Sequence, residues 1–568
     1  MSNFYKDNED IRKTIEGLDL AEVSTLLEED FKFSKEYDFA PKNPEDAIDN
    51  YLRALEIAGE ITGNRIAQTA EHTDQVGNVL NDDGTVTYAP GIALAMKLFG
   101  EAGLLGIQIP YYLGGLNMPC TVMTAVNDMV SRSDASLMNM IGLQGIADTI
   151  NMFADEEIKK QYVPKLVTGE YTGAMVLTEP DAGSDLQSVK TVGFQDENGN
   201  WFVNGVKRFI TNGCGDVLLV LARTESEFSD GRGLSCLLVE KGPRVKVRRL
   251  EHKLGINGSP TCEIVFDNAP AKLIGMRKRG LITYVMALMN GARVGIAGQG
   301  TGIGEAAYRA AREYASARKQ FGVAIDELAP VRELLVDMSV DVQASRALAY
   351  YCSKCVDMET GLTRRFESLK GSPEAAGVRA RMKKYAAFNK MLTPMAKYFA
   401  SEMSMRVSSN AVSVLGGSGY MKDYPVERYY RDARITTIYE GTSQLQVVAA
   451  IAGVTGGMVK DVIDDILGEG WQSEHPRMTK LLEELDAAVQ FVKSKDKAFH
   501  DLSARKLVDA GIALVITALL VKLGKEEETF YWLHTRYPAV KAGLQVVDSG
   551  CDSAVVKFEN LAPMPQAE

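Results

Sequence analysis

The chain has 568 residues, 46% of them hydrophobic and 24% charged, enough apolar material for true cores and, at about 150 residues per domain, for three to four domains. Lys plus Arg number 63 against 75 Asp plus Glu, a net charge of −12, so no global positive field recruits nucleic acid or anionic lipid. Eighteen prolines and an ordinary charge content exclude a collagen-like or disordered chain.

From the N-terminus, LAEVSTLLEEDF, PEDAIDNYLRALEIAGEIT and GIALAMKLFGEAGLL space apolar residues three and four apart and predict amphipathic helices over most of the first 170 residues. Between 171 and 275 the period shortens, and NWFVNGVKRFITN, VLLVLART, LSCLLVEK, VKVRRL and CEIVF read as strands of a small antiparallel β domain. Long helical patterns at 280–320, 328–358, 375–415 and 443–458 predict a bundle, with the charged stretch 359–380 as an excursion between two of them. A break at GEGWQSEHP then opens three further helical patterns running to about residue 559. Inside these, 510–521 (AGIALVITALLV) is too short to span a bilayer and reads as a core helix.

The expected fold class is therefore α+β, without the strand-helix alternation of a doubly wound sheet. The expected domains are an N-terminal helical extension (1–79), an α domain (80–170), a β domain (171–275), an α-bundle (276–460) and an additional helical domain (461–568). Seven scattered cysteines (Cys120, Cys214, Cys236, Cys262, Cys352, Cys355, Cys551) are expected to be reduced. The charged N-terminus and the C-terminal PMPQAE carry no export, peroxisomal or lipidation signal, which points to a cytoplasmic protein.

Several motifs have bland explanations. Gly302-Ile-Gly304-Glu-Ala-Ala307 matches a dinucleotide fingerprint, yet it lies in a helical pattern with no preceding strand, so close helix packing explains it better. Cys352 and Cys355 form C-x-x-C inside a helical pattern with no second pair, and the five histidines are isolated, so no metal site is expected. Leu177 to Asp185, LTEPDAGSD, is a turn whose amides and hydroxyls suit a polar ring edge or a phosphate, and is otherwise a surface turn. In Ile438 to Gln444, IYEGTSQ, Thr442 and Ser443 suit a helix cap, and a lone Glu440 is ordinarily a solvated carboxylate.

Taken together, LTEPDAGSD, KRFITNG (207–213), ARKQFG (317–322), LGGSGY (415–420) and IYEGTSQLQ (438–446) resemble the acyl-CoA dehydrogenase family over roughly residues 80–455. The chain length, N-terminal extension and last helical domain resemble its larger bacterial branch, which includes enzymes of short or sulfur-containing acyl-CoAs. The resemblance implies an N-terminal α domain, a middle β domain and a four-helix bundle, with FAD between the last two.

It also implies roles by position. Thr178 would bond the flavin pyrimidine edge, Ser184 a flavin phosphate or nearby substrate group, and Thr211 flavin N5. Phe209 stands where many members have Trp, keeping a stacking face without the indole N–H. Arg318, Gln320 and Phe321 would reach FAD in the neighbouring subunit, Gly416 and Gly417 would receive its adenosine, and Ser413 replaces a common Gln there. Glu440 would be the base that takes the α-proton, Gly441 would let substrate approach, and Thr442 and Gln444 would contact flavin. Arg293 would lie near the CoA end, while Ala292 leaves no second candidate base beside it. Met138 occupies the place where glutaryl-type members carry Arg.

The resemblance thus implies dehydrogenation of an acyl-CoA to its 2,3-enoyl-CoA, as in β-oxidation, with electrons passed to an electron-transfer flavoprotein. It also implies a homo-oligomer, a dimer rather than a tetramer if the last domain covers the face through which smaller relatives pair. An acyl-CoA oxidase and a DNA-associated stress protein on the same fold are the alternatives, and the net charge of −12 disfavours the second.

Overall fold

The change of period near residue 171 marks a structural boundary in the computed structural model, which describes residues 2–564. Seven strands form the middle sheet: β1 (Gly173–Val176), β2 (Val192–Gln195), β3 (Trp201–Thr211), β4 (Val217–Arg223), β5 (Leu234–Glu240), β6 (Val245–Leu250) and β7 (Thr261–Leu273). Their order is β1-β4-β2-β3-β7-β5, with β6 on β7 and β4 also pairing β5. The sheet is not wholly antiparallel, because β1 and β2 both run parallel to β4. The chain runs out along β2, back along β3 and out again along β4, which restores the direction of β1. β4 and β5 are buried along nearly their whole length, so they read as continuous apolar runs rather than alternating ones.

The helices Met286–Ala317, Ala329–Ser368, Ala375–Leu415 and Ser443–Thr455 form the bundle, and Cys120–Ser133 of the N-terminal region packs on the first of them. Close approach explains the glycine-rich string: a Cβ on Gly300 would lie 2.6 Å from Ala400 O, and one on Gly302 only 2.1 Å from Asp128 O. Residues Gly280–Ala317 are long and apolar enough to cross a membrane, but 293–307 are buried within the protein.

The expected excursion at 359–380 is mostly helix. Ala329–Ser368 runs for 40 residues and the next helix begins at Ala375, leaving only 369–374 between them. The charges that suggested a loop decorate a continuing helix, which Arg364 holds down by donating to Leu27 O at 3.1 Å.

Beyond the bundle, Pro476–Lys493, Lys497–Lys522 and Glu526–Asp548 form the additional helices. Lys497–Lys522 buries its apolar residues against the bundle, so the two share one continuous core. At the centre of the molecule the wholly buried Arg346 binds Asp128 and Glu305 at 2.8 Å each, and also Asp10. Asp10 in turn binds Lys525, which donates to Gln343 Oε1 at 2.6 Å. The N-terminal helix Glu9–Gly17, the bundle and the last helices therefore meet at one charge cluster.

Candidate active site

The clearest constellation surrounds residues 437–446. The helix Val426–Thr436 ends, Ser443 N donates to Thr437 O at 3.0 Å, and Thr442 Oγ1 caps the next helix by accepting from Leu445 N at 3.3 Å. Two consecutive residues in this tight crossing are left-handed, Glu440 at φ +54° and Gly441 at φ +90°. Glycine adopts that region freely, whereas for Glu440 it costs about 1–2 kcal/mol that the surroundings must supply.

Those surroundings grip the backbone. Glu440 O accepts from Arg293 Nε at 3.3 Å and Gln446 Nε2 at 3.1 Å, and Gly441 O accepts from Lys397 Nζ at 2.8 Å and Gln446 Nε2 at 2.9 Å. The carboxylate is left free of these bonds. Although Glu440 keeps some solvent access, desolvation pushes its carboxyl up to about 7, against the pull of the Arg293 and Lys397 cations. Such a group is a proton acceptor poised near neutrality.

Next to it, Tyr439 OH lies within hydrogen-bond distance of both Asn139 Oδ1, at 3.0 Å, and Gln299 Oε1, with one proton to share between them, and Gln299 Nε2 donates to Ala135 O at 3.0 Å. Met138 beside Asn139 is buried, 2.9 Å from where a Cβ on Gly295 would lie. Arg293 is buried, with its guanidinium on Glu440 O and on Asn290 Oδ1 at 3.1 Å.

A second group of residues lies on the sheet. Arg208 N donates to Thr178 O at 2.9 Å, so the 177–185 turn is fastened to β3. Register shifts between Lys207 and Ile210, and this bulge turns Phe209 out at φ +61° with 54% of its surface exposed. Thr178 and Thr211 are half-buried at either end, while Ser184 is exposed. Below them the fully buried Lys207 bonds Glu179 Oε1 at 2.9 Å and Leu177 O at 2.8 Å, and Glu179 also accepts from Lys190 N at 2.7 Å and Thr191 N at 2.9 Å.

The remaining expected residues are exposed. Arg318, Gln320 and Phe321 lie on the short hairpin Lys319–Gln320 and Val323–Ala324, exposed, with Phe321 at φ +52° and 91% accessible. Gly416 (φ +60°) and Gly417 are exposed, and a Cβ on either would meet nothing within 4 Å. Gln444 is exposed on the first turn of its helix. Sequence reasoning assigned no role to Lys397, Gln446, Lys207 or Glu179. For Lys397 the signal was present: PMAKYFA sets one cation between apolar residues on both sides.

The chain is similar to known proteins along most of its length. Three family profiles match in order: "Acyl-CoA dehydrogenase, N-terminal domain" at 63–170, "middle domain" at 174–269 and "C-terminal domain" at 279–453, roughly two thirds of the chain. An acyl-CoA dehydrogenase of Bacillus subtilis is 36% identical over 370 residues, 64% of this chain and 89% of its own length. The 3-methylmercaptopropionyl-CoA dehydrogenase of Ruegeria pomeroyi is 31% identical over 512 residues, 85% of this chain and 82% of its own. In fold, an acyl-CoA dehydrogenase from Bacillus anthracis solved with FAD overlays with TM-score 0.72 at 22% identity, covering 92% of each chain.

Proposed function

The chain belongs to the acyl-CoA dehydrogenase family, an FAD-dependent oxidoreductase family, and from that premise and the geometry around Glu440 we propose that it dehydrogenates a short acyl-CoA to the 2,3-enoyl-CoA. The observation that carries the reading is a carboxyl pushed up to about 7 in a loop where Arg293, Lys397 and Gln446 hold the Glu440 and Gly441 carbonyls, leaving the carboxylate free.

On this reading Glu440 accepts the α-proton of the thioester, and its own backbone N–H donates to the thioester oxygen as charge develops there. The bulged, outward-turned Phe209, the half-buried Thr178 and Thr211 and the exposed Ser184 suit the isoalloxazine and its phosphate, and the open cradle at Gly416 and Gly417 suits the adenosine. FAD bound there supplies the acceptor for the β-hydride. Thr442 and Gln444 begin the helix on that same side.

The apolar, buried Met138 favours an acyl group without a distal carboxylate. The Ruegeria relative, matched over 85% of this chain, is named for a short thioether acyl-CoA, and that class heads the substrate list. An electron-transfer flavoprotein is the proposed acceptor. The exposed hairpin tip at Phe321 supports a second copy completing the cofactor site, which a sedimentation measurement of a monomer would contradict.

Glu440→Gln is expected to retain yellow, FAD-loaded protein while acyl-CoA bleaches its flavin about 10²–10⁴-fold more slowly. Bleaching at an unchanged rate would remove Glu440 from the role of base.

A further inference from the structure

Lys397 is wholly buried in the helix Ala375–Leu415, 43 residues before the base in sequence, and nothing in the family reading above uses it. Its Nζ donates to Gly441 O at 2.8 Å. Among the described residues no carboxylate lies within ion-pair distance of that nitrogen, which is unusual for a buried cation.

The charged groups facing it come from three elements: Glu440 from the base loop, Arg293 from the helix Met286–Ala317, and Glu402 from its own helix, already held by Ser443 Oγ at 2.6 Å. Glu440 is the one carboxylate among them without a hydrogen bond to its oxygens. Burial drives the Lys397 ammonium down to about 7, the same value to which burial drives the Glu440 carboxyl up. Burial thus disfavours both charges, and each group favours the charged form of the other.

Resting on the proposal that Glu440 is the base, we infer that Lys397 is a positioning residue that does two things. By its hydrogen bond to Gly441 O it holds the left-handed Glu440–Gly441 crossing, and by its charge it sets the proton affinity of the Glu440 carboxylate.

The sign is fixed by electrostatics. A protonated Lys397 favours the Glu440 anion, so removing the cation raises the carboxyl's affinity for its proton and leaves less free base at any given pH. Arg293, which binds Glu440 O directly, acts in the same direction and remains in place in a Lys397 variant.

The test uses the FAD-loaded full chain. Lys397→Met removes both hydrogen bond and charge, and Lys397→Gln keeps a donor and removes only charge. Infrared difference spectra between pH 5 and 9, with Glu440→Gln as the blank, read the ionisation of the Glu440 carboxyl without any substrate. In both Lys397 variants the midpoint is expected about one unit or more higher, and the acid limb of the kcat/KM profile should move with it. In Lys397→Met kcat should fall further than in Lys397→Gln.

A midpoint unmoved in the variant that folds and binds FAD overturns the electrostatic role. Equal kcat in the two variants overturns the tether. The infrared arm stands apart from the function reading: a chain that oxidises no acyl-CoA yet shows the shifted midpoint refutes the proposed reaction and keeps the Lys397–Glu440 coupling.

Discussion

The sheet side and the bundle side of the site solve one problem in two ways. Each presents a proposed site residue in left-handed conformation, Phe209 on one side and Glu440 on the other, and each has a wholly buried lysine nearby. On the sheet side Lys207 is paired with the carboxylate of Glu179, and the pair staples two loops. On the bundle side, among the described residues, Lys397 has only a carbonyl oxygen at hydrogen-bond distance, and the nearby carboxylate is that of Glu440, the proposed base. The first arrangement is architecture, closed and satisfied. In the second, a direct ion pair to Glu440 would pull the proton affinity of the proposed base away from neutrality.

The sharpest way to break this contrast is to remove each lysine in turn. Lys207→Met strands Glu179 as a buried charge and is expected to lower stability by about 3–5 kcal/mol, read as the urea midpoint. Lys397→Met leaves Gly441 O still accepting from Gln446, so its stability cost is expected to be about 1 kcal/mol. Equal losses would erase the distinction between the two sides.

A second measurement sharpens it through pH. The folded carboxyl of Glu440 sits near 7 against an ordinary 4.5, so the fold binds a proton that the unfolded chain has lost between those values. Stability conferred by this residue is accordingly present below about pH 4.5 and declines as pH rises toward 7, by up to about 3 kcal/mol. Catalysis runs the other way, kcat/KM falling about tenfold for each unit below pH 7. Glu440→Gln should flatten the stability decline; a chain that loses stability equally with and without the substitution contradicts the assignment.

Smaller effects follow from local contacts. Thr442→Ala removes the cap on the helix Ser443–Thr455 and should lower stability by about 1 kcal/mol, seen in thermal melts. Phe209→Ala, at a side chain more than half exposed, should change stability by no more than about 0.5 kcal/mol while shifting the flavin absorption spectrum.

Much of this was legible in the sequence because period and caps are local. The helix 375–415 was read to the residue, and Thr442 was seen as a cap before Ser443. The strands β1 and β2 escaped notice because four residues give no alternation to count, and their parallel pairing with β4 depends on partners that no local pattern names. The 359–380 stretch reads as a loop because only Leu362, Phe366 and Leu369 mark the inner face of the helix end among many charged neighbours. Arg293 was placed by analogy at the CoA end, and only the fold puts its guanidinium on Glu440 O. Lys397 acquires meaning through a contact with a residue 44 positions away, beyond any periodicity.

The charge cluster around Arg346 bears on how the chain is made. Asp10 and its partner Lys525 lie 515 positions apart, so the carboxylate is synthesised long before its counterion. The helix Glu9–Gly17 therefore cannot complete its ionic contacts until residue 525 has been made, and a product cut short before that residue leaves Asp10 without it.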